Sequence, residues 1–379
     1  MQTIFFLSLI FILYTYLGYP AYLLLRAKLM PRPVRKAPPS AWPTVSAVIA
    51  AKNEEKTMAR RIQNLLDQDY PQDLLEIIVA SDGSTDATNT IVQEFAASDH
   101  RVTLIASHPA QGKPAALNKG VARARGEIIV FADSRQQFEP RALAELVSNF
   151  SDPEVGCVSG ELIFVQDQDS AIRAEMGAYW HYEKMVRKLE SASGSVAGAT
   201  GAIYAIRKKR YKDLPAETIL DDVLTPTNII LQGYRCVFEP SAVAFDVVSK
   251  DMQSEMTRKI RTLAGNWQLL QLAPELGSPL RNPIWWGFFS HKIFRLIVPM
   301  MLLLLLITNL FLSGVFFSAT LLSQVLFYAT AAIAHVSSAF RANRLARLVY
   351  FFVNLNWAAL LGTWYFLSGS AGKAWRRVE

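Results

Sequence analysis

Charge is scarce in this chain. Of its 379 residues only 19% are Asp, Glu, Lys or Arg while 51% are hydrophobic, against roughly 25% charged in soluble domains. The deficit is local: residues 1–25, 296–340 and 348–372 contain no Asp, Glu, Lys or Arg. A spanning helix needs about 20 apolar residues, so one span is expected near 3–25, two within 296–340 and one near 348–367. The first run has too long an apolar core, and no basic region ahead of it, for a cleavable signal peptide. Absence of charge inside these spans argues against a transporter, whose path intramembrane charges mark. Cysteine is rarer still. Cys157 and Cys236 lie in apolar runs and are expected as buried thiols, since a cytoplasmic domain would not hold a disulfide. Without nearby histidines they make no zinc site. Internal repeats and low-complexity tracts are lacking. So is a basic groove interleaved with aromatics, which excludes nucleic acid as the reason for the net charge of +7.

That charge is read as membrane-facing. Arg26, Lys28, Arg32, Arg35 and Lys36 follow the first span, so by the positive-inside rule its carboxyl end, and the polar domain after it, face the cytoplasm. Arg341, Arg344 and Arg347 between the third and fourth spans agree, whereas Lys373, Arg376 and Arg377 fall on the far side, against the rule. The expected organisation is a span over 1–25, a basic proline-rich linker over 26–43, a polar domain over 44–250, interfacial amphipathic helices over 251–295 and about three spans over 296–379. In the interfacial stretch Trp285, Trp286, Phe288 and Phe289 stand beside His291 and Lys292, aromatic and cationic anchors for the inner leaflet.

From Thr44 apolar runs alternate with amphipathic ones. Strands are expected over 45–50, 75–80, 102–106, 127–132, 155–159 and 197–206, with helices over 54–66, 86–97, 114–124 and 170–190. Such alternation predicts an α/β fold with a mostly parallel sheet covered by helices on both faces. Ligands of such sheets bind at the carboxyl ends of the strands, and acidic residues gather there. Ala50-Ala51-Lys52-Asn53-Glu54-Glu55 follows the first strand, Ser81-Asp82-Gly83-Ser84-Thr85-Asp86 the second, and Asp133-Ser134-Arg135 the fourth. Asp82 can accept from a pyrimidine ring N–H and Glu54 from ribose hydroxyls. Glu55 also suits a helix start, and Asp86 a position beside an N-cap. A fourth acidic pair, Asp221-Asp222, precedes the helical run 223–231; a helix cap accounts for Asp221 without chemistry.

These segments, with Gly112-Lys113-Pro114-Ala115-Ala116-Leu117-Asn118-Lys119-Gly120, resemble the nucleotide-binding half of family 2 glycosyltransferases. The membrane synthases of cellulose, hyaluronan, chitin and poly-N-acetylglucosamine are the similar group, over roughly 44–270. The resemblance implies a GT-A (nucleotide-diphospho-sugar transferase) domain flanked by membrane helices. It implies UDP-sugar contacts at Ala50, Glu54, Asp82, Lys113 and Asp133, and a general base at Asp222, because inverting transfer needs a carboxylate within reach of the acceptor hydroxyl. Thr200 and Gly201, in a small-residue segment, and Asp221 fall in the acceptor region. Arg258 and Arg261 sit where relatives carry Gln/Arg-x-x-Arg-Trp. They share one helical face and suit a diphosphate clamp or contact with lipid headgroups. Two departures stand out. Thr262 replaces the motif tryptophan, with Trp267 nearby but out of position. Arg135 replaces the second acid of Asp-x-Asp, which leaves Asp133 as a single protein ligand for Mg²⁺ or Mn²⁺. Arg135 then binds a diphosphate oxygen or pairs with Asp133. The implied partners are a UDP-sugar, a glycan or lipid-linked acceptor and the bilayer, at the inner membrane, with any export partner unspecified. A non-catalytic scaffold that has lost its metal site is the alternative.

Overall fold

The computed structural model describes residues 1–37, 41–165, 171–247 and 252–369. Lys373, Arg376 and Arg377, and the expected boundary at 250–251, lie outside them. The chain opens with α1 (Gln2–Leu13) and α2 (Tyr19–Leu29), joined by a π-turn over Tyr14–Gly18. The domain follows as β1 (Val45–Ala51), α3 (Glu55–Leu66), β2 (Leu75–Asp82), α4 (Thr88–Ser98), β3 (Val102–Ser107), α5 (Lys113–Arg123) and β4 (Ile128–Ala132). Then come β5 (Gln137–Phe138), α6 (Ala142–Ser148), β6 (Val155–Val165), α7 (Ala171–Ser193), β7 (Ile203–Arg207), α8 (Asp221–Leu231), β8 (Arg235–Val247) and α9 (Met252–Leu272). The chain ends in α10 (Trp285–Phe288), α11 (Phe294–Asn309), α12 (Val315–Val336), α13 (Ser338–Arg341) and α14 (Arg344–Leu367).

One sheet of eight strands runs in the order β3-β2-β1-β4-β7-β6-β8-β5. Its β3-β2-β1-β4 half is parallel, and its β-branched runs are buried, as two-sided coverage requires. The other half is mixed: β7 is antiparallel to both β4 and β6, and β5 to β8. The strand expected over 197–206 shrinks to Ile203–Arg207. Gly198 adopts φ +134°, outside the range of a regular strand, and the segment before Ile203 turns over α8. A Cβ on Gly198 would meet Val223, and one on Gly201 would meet Asp222.

Two cores flank the sheet. One packs α3, through Ile62 and Leu65, against Ile49, Ile77 and Val79. The other joins Val48, Ile78 and Leu117 to Leu269 of α9, Phe288, Leu296 of α11 and Ala359 of α14. The apolar helices therefore share a core with the domain. Four helices are long and apolar enough to cross a membrane: Gln2–Leu29, Trp285–Asn309, Val315–Val336 and Arg344–Leu367.

The stretch 283–294, expected along the inner leaflet and leading into the second span, runs through a π-turn over Phe289–Ile293 into α11. The second apolar helix therefore does carry His291, Lys292 and Arg295. The basic linker is also less lipid-directed than its charge suggests. Arg32 pairs with Glu154 at 2.8 Å, and Lys36 bridges Glu145 and Glu239 at 2.7 Å each.

Candidate active site

Because β1, β2 and β4 are parallel neighbours, their carboxyl ends open on one side and bring distant loops together. Asp82 ends β2. It is buried, and its Oδ1 and Oδ2 accept the backbone N–H groups of Gln111 and Gly112, each at 2.7 Å. It thus ties down the loop before α5 and aims Lys113, while each oxygen keeps a second acceptor position for a ligand. Only glycine fits at position 83: φ is +70°, and a Cβ there would lie 2.9 Å from Ala110. Ala50 lies in register with Ala80 of β2, so no bulky side chain crowds this corner. Glu54 stands just before α3 and its Oε2 accepts from Thr57 Oγ1 at 3.0 Å. The helix-start roles of Glu55 and Asp86 are visible. Glu55 Oε2 accepts from Ala87 N and Asp86 Oδ2 from Glu55 N, both at 3.1 Å, and Asp86 Oδ1 accepts from Thr88 N at 3.0 Å.

Lys113 is the hub. Its ammonium lies 3.2 Å from Asp133 Oδ1 and 3.3 Å from Asp221 Oδ2. Burial alone would lower its proton affinity, but Asp133, Asp221 and Asp222 together outweigh that and raise it. Asp221 was expected as a helix cap and is not one: α8 begins at Asp221, Leu220 occupies the cap position without a side-chain bond, and the carboxylate turns to Lys113. Burial, then the adjacent Asp221, push Asp222 from 3.8 up to about 6, against the pull of Lys113 and Lys292. A Cβ on Gly201 would stand 3.0 Å from Asp222 Oδ2, so glycine keeps that oxygen approachable.

Asp133 pairs with Lys113, and no ion pair joins it to Arg135 among the described residues. The Arg135 side chain is exposed. Arg261 comes to the site on α9, which packs on α14 at Gly362 and on Leu220 at Gly265. Burial lowers its proton affinity, with Asp221 and Asp222 opposing and Arg258 adding. Thr200 is turned away from open space: its Oγ1 accepts from Arg187 at 2.7 Å and donates to the Gly160 carbonyl at 2.9 Å. Trp267 does not line the site. Its Nε1 donates to Thr363 Oγ1 at 3.0 Å, and its ring stacks on Phe366.

Tyr204 went unnoticed in the sequence. Its ring stacks on Phe131 at 4.6 Å, and its fully buried hydroxyl has no hydrogen-bond partner among the described residues. Burial raises its proton affinity, as do Asp221 and Asp222, so it stays a neutral donor beside them. Only its place in the small-residue segment resembling the acceptor border was visible, and that does not single out its hydroxyl.

No cluster of three or more His, Cys, Asp or Glu side chains with metal-binding geometry occurs among the described residues. The site fits a divalent cation in a narrower sense. Asp133 is 38% exposed and only its Oδ1 is engaged, which leaves one carboxylate oxygen for an ion whose other ligands are waters and phosphates.

Acids at three strand ends, a lysine between them and a helix-borne acidic pair stand on a sheet of GT-A type. More particularly, residues 46–214 match the family model described as glycosyl transferase family 2. The chain is similar to a probable glycosyltransferase, YdaM, of Bacillus subtilis, 26% identical over 236 residues, or 59% of this chain and 55% of that one. It is also similar to a poly-beta-1,6-N-acetyl-D-glucosamine synthase of Staphylococcus epidermidis, 23% identical over 230 residues, 60% and 55% of the two chains. The chain thus spans about half the length of the curated relatives it matches. Among solved structures, mannosyltransferase PcManGT from Pyrobaculum calidifontis, in complex with GDP-Man and Mn²⁺, has the same fold: TM-score 0.69, 22% identity, 96% of this chain and 99% of that one.

Proposed function

We propose that this chain transfers a sugar, with inversion, from a UDP-sugar to a glycan or lipid-linked acceptor at the cytoplasmic face of the inner membrane, in polysaccharide or glycolipid synthesis. One observation carries the reading: Lys113 is held between Asp133 and Asp221, beside an Asp222 pushed up to about 6. A carboxylate with that proton affinity is ionised at neutral pH yet basic enough to take a proton. Asp222 removes the proton of the acceptor hydroxyl, whose oxygen bonds to the anomeric carbon as the bond from that carbon to the diphosphate oxygen breaks. The electron pair leaves with UDP. Lys113, Arg135, Arg258 and Arg261 neutralise the departing diphosphate, and Glu54 and Asp82 hold the uridine. A divalent cation, held by Asp133, would add Lewis-acid stabilisation of the same oxygens.

A panel of UDP- and GDP-sugars offered to detergent-purified full-length protein tests this. Turnover of one UDP-sugar, lost in Asp222→Asn, is expected. Turnover of GDP-sugars alone would overturn the donor assignment, and turnover of none would favour the non-catalytic scaffold.

A further inference from the structure

The hydroxyl of Tyr204 is a donor left over beside the acidic pair. Its side chain is fully buried, and the oxygen has no hydrogen-bond partner among the described residues. Such a group costs free energy, and few native polar groups stay in that condition. Backbone pairing fixes its place. Tyr204 of β7 stands opposite Phe131 of β4, two residues before Asp133. The turn that leads into β7 wraps the start of α8: Ala199 N–H donates to the Asp222 carbonyl at 2.8 Å. Tyr204 itself shares a core with Leu220, Val223 and Leu224. Beyond burial, the groups that act on its charge are Asp221, Asp222, Tyr211 and Cys157. The Tyr211 hydroxyl is turned to Asn118 Oδ1 at 2.6 Å, and Cys157 is a buried thiol, a weak acceptor. The carboxylates remain.

Asp221 holds a partner that the proposed reaction would remove. Lys113 pairs with it at 3.3 Å while also reaching Asp133 at 3.2 Å. Both distances exceed the roughly 2.7–2.9 Å of a full charge-assisted bond, so one ammonium is shared between two carboxylates and saturates neither. A diphosphate carries more negative charge than one carboxylate and draws that ammonium away from Asp221. Arg261, whose charge also faces Asp221, is directed to the same diphosphate in that reaction. Asp221 is buried, and a buried carboxylate stripped of its partner is costly. The Tyr204 hydroxyl is the unused donor beside it.

We propose that Tyr204 is a positioning residue for the acidic pair: its hydroxyl is idle while Lys113 bridges Asp133 and Asp221, and donates to Asp221 when that bridge is broken. The exchange keeps Asp221 ionised beside Asp222, whose basicity rests, after burial, on that neighbouring charge. It relies on the proposed reaction only for what breaks the bridge, and a mutation breaks it equally well. The test is a double-mutant cycle read by thermal unfolding of the full-length protein in detergent. Alone, Tyr204→Phe removes a polar atom that has no partner and should raise the melting temperature by about 2 °C or more. In the Lys113→Met background, where Asp221 has lost its cation, the same change should lower it. A tyrosine with a merely structural role gives one sign in both backgrounds, and that result, or a parent protein destabilised by Tyr204→Phe, would overturn the proposal. Calorimetry with UDP and Mg²⁺ is the second arm, and it decides the matter if Lys113→Met does not fold. Tyr204→Phe should bind UDP about tenfold more weakly although it melts higher without UDP; unchanged affinity would overturn the exchange and leave the donor site standing. A parent protein that binds no UDP would sink the donor assignment, while the cycle still decides the role of Tyr204.

Discussion

Replacing Asp222 by Asn separates catalysis from stability. Asn keeps the shape and removes both the charge and the basicity. Loss of a general base costs about 10²- to 10⁴-fold in rate, or about 3–5 kcal/mol of barrier. The stability effect has the opposite sign. Asp222 is raised from 3.8 in the unfolded chain to about 6 in the folded one, a difference of about 2 units worth at most about 3 kcal/mol. A raised carboxylate favours the folded state when protonated. Its ionised form therefore costs stability in full above about pH 6, and the cost fades as pH falls from 6 towards 4. At pH 7.5 Asp222→Asn should melt several degrees higher than the parent, at about 2–4 °C per kcal/mol, with the gain absent at pH 4. UDP affinity should be unchanged. The assays are thermal unfolding across pH and UDP-sugar turnover in the same buffers, where parent activity should fall tenfold per unit below pH 6. A mutant that keeps a tenth of the parent rate, or that melts lower at pH 7.5, would refute the reasoning.

Lys113→Met leaves Asp133 and Asp221 facing each other without their shared cation; UDP binding measured by calorimetry should weaken at least about tenfold, roughly 1.4 kcal/mol, and unchanged affinity would remove Lys113 from the donor site. Excess EDTA should reduce turnover, with recovery on adding Mg²⁺ or Mn²⁺, whereas full activity in EDTA would show that Arg135 and Lys113 suffice. Arg135→Asp restores a second carboxylate two residues from Asp133, so activity should become more steeply dependent on metal concentration, while a titration identical to the parent's would mean Arg135 has no part in the site. Gly201→Ala puts a methyl about 3.0 Å from Asp222 Oδ2 and should lower kcat more than UDP affinity.

The parallel half of the sheet and its acids were legible because β-branched runs ended in polar turns, and backbone periodicity reports those directly. β8 was not: Pro240 and Ser241 interrupt Arg235–Val247, and proline argues against a central strand. The fold absorbs it with a register shift, Ser159 pairing Phe238 and Glu161 pairing Val243. The neighbours of the acidic pair were not legible: the partner of Asp221 could not be read, because Lys113 lies on another helix and nothing local betrays it. The surroundings of Lys292 were illegible for the same reason. Lys292 looked like a headgroup anchor, and only packing of α7 against the opening turn of α11 brings Glu183 to His291 and Arg295.

The most direct measurement is the anomeric configuration of the product formed from an α-linked UDP-sugar, read by proton NMR during turnover by the purified protein. Attack by an acceptor oxygen activated at Asp222, on the face opposite the departing diphosphate, gives a β-linked product. An α-linked product would contradict the account, because Asp222 would then not be the base of a single displacement.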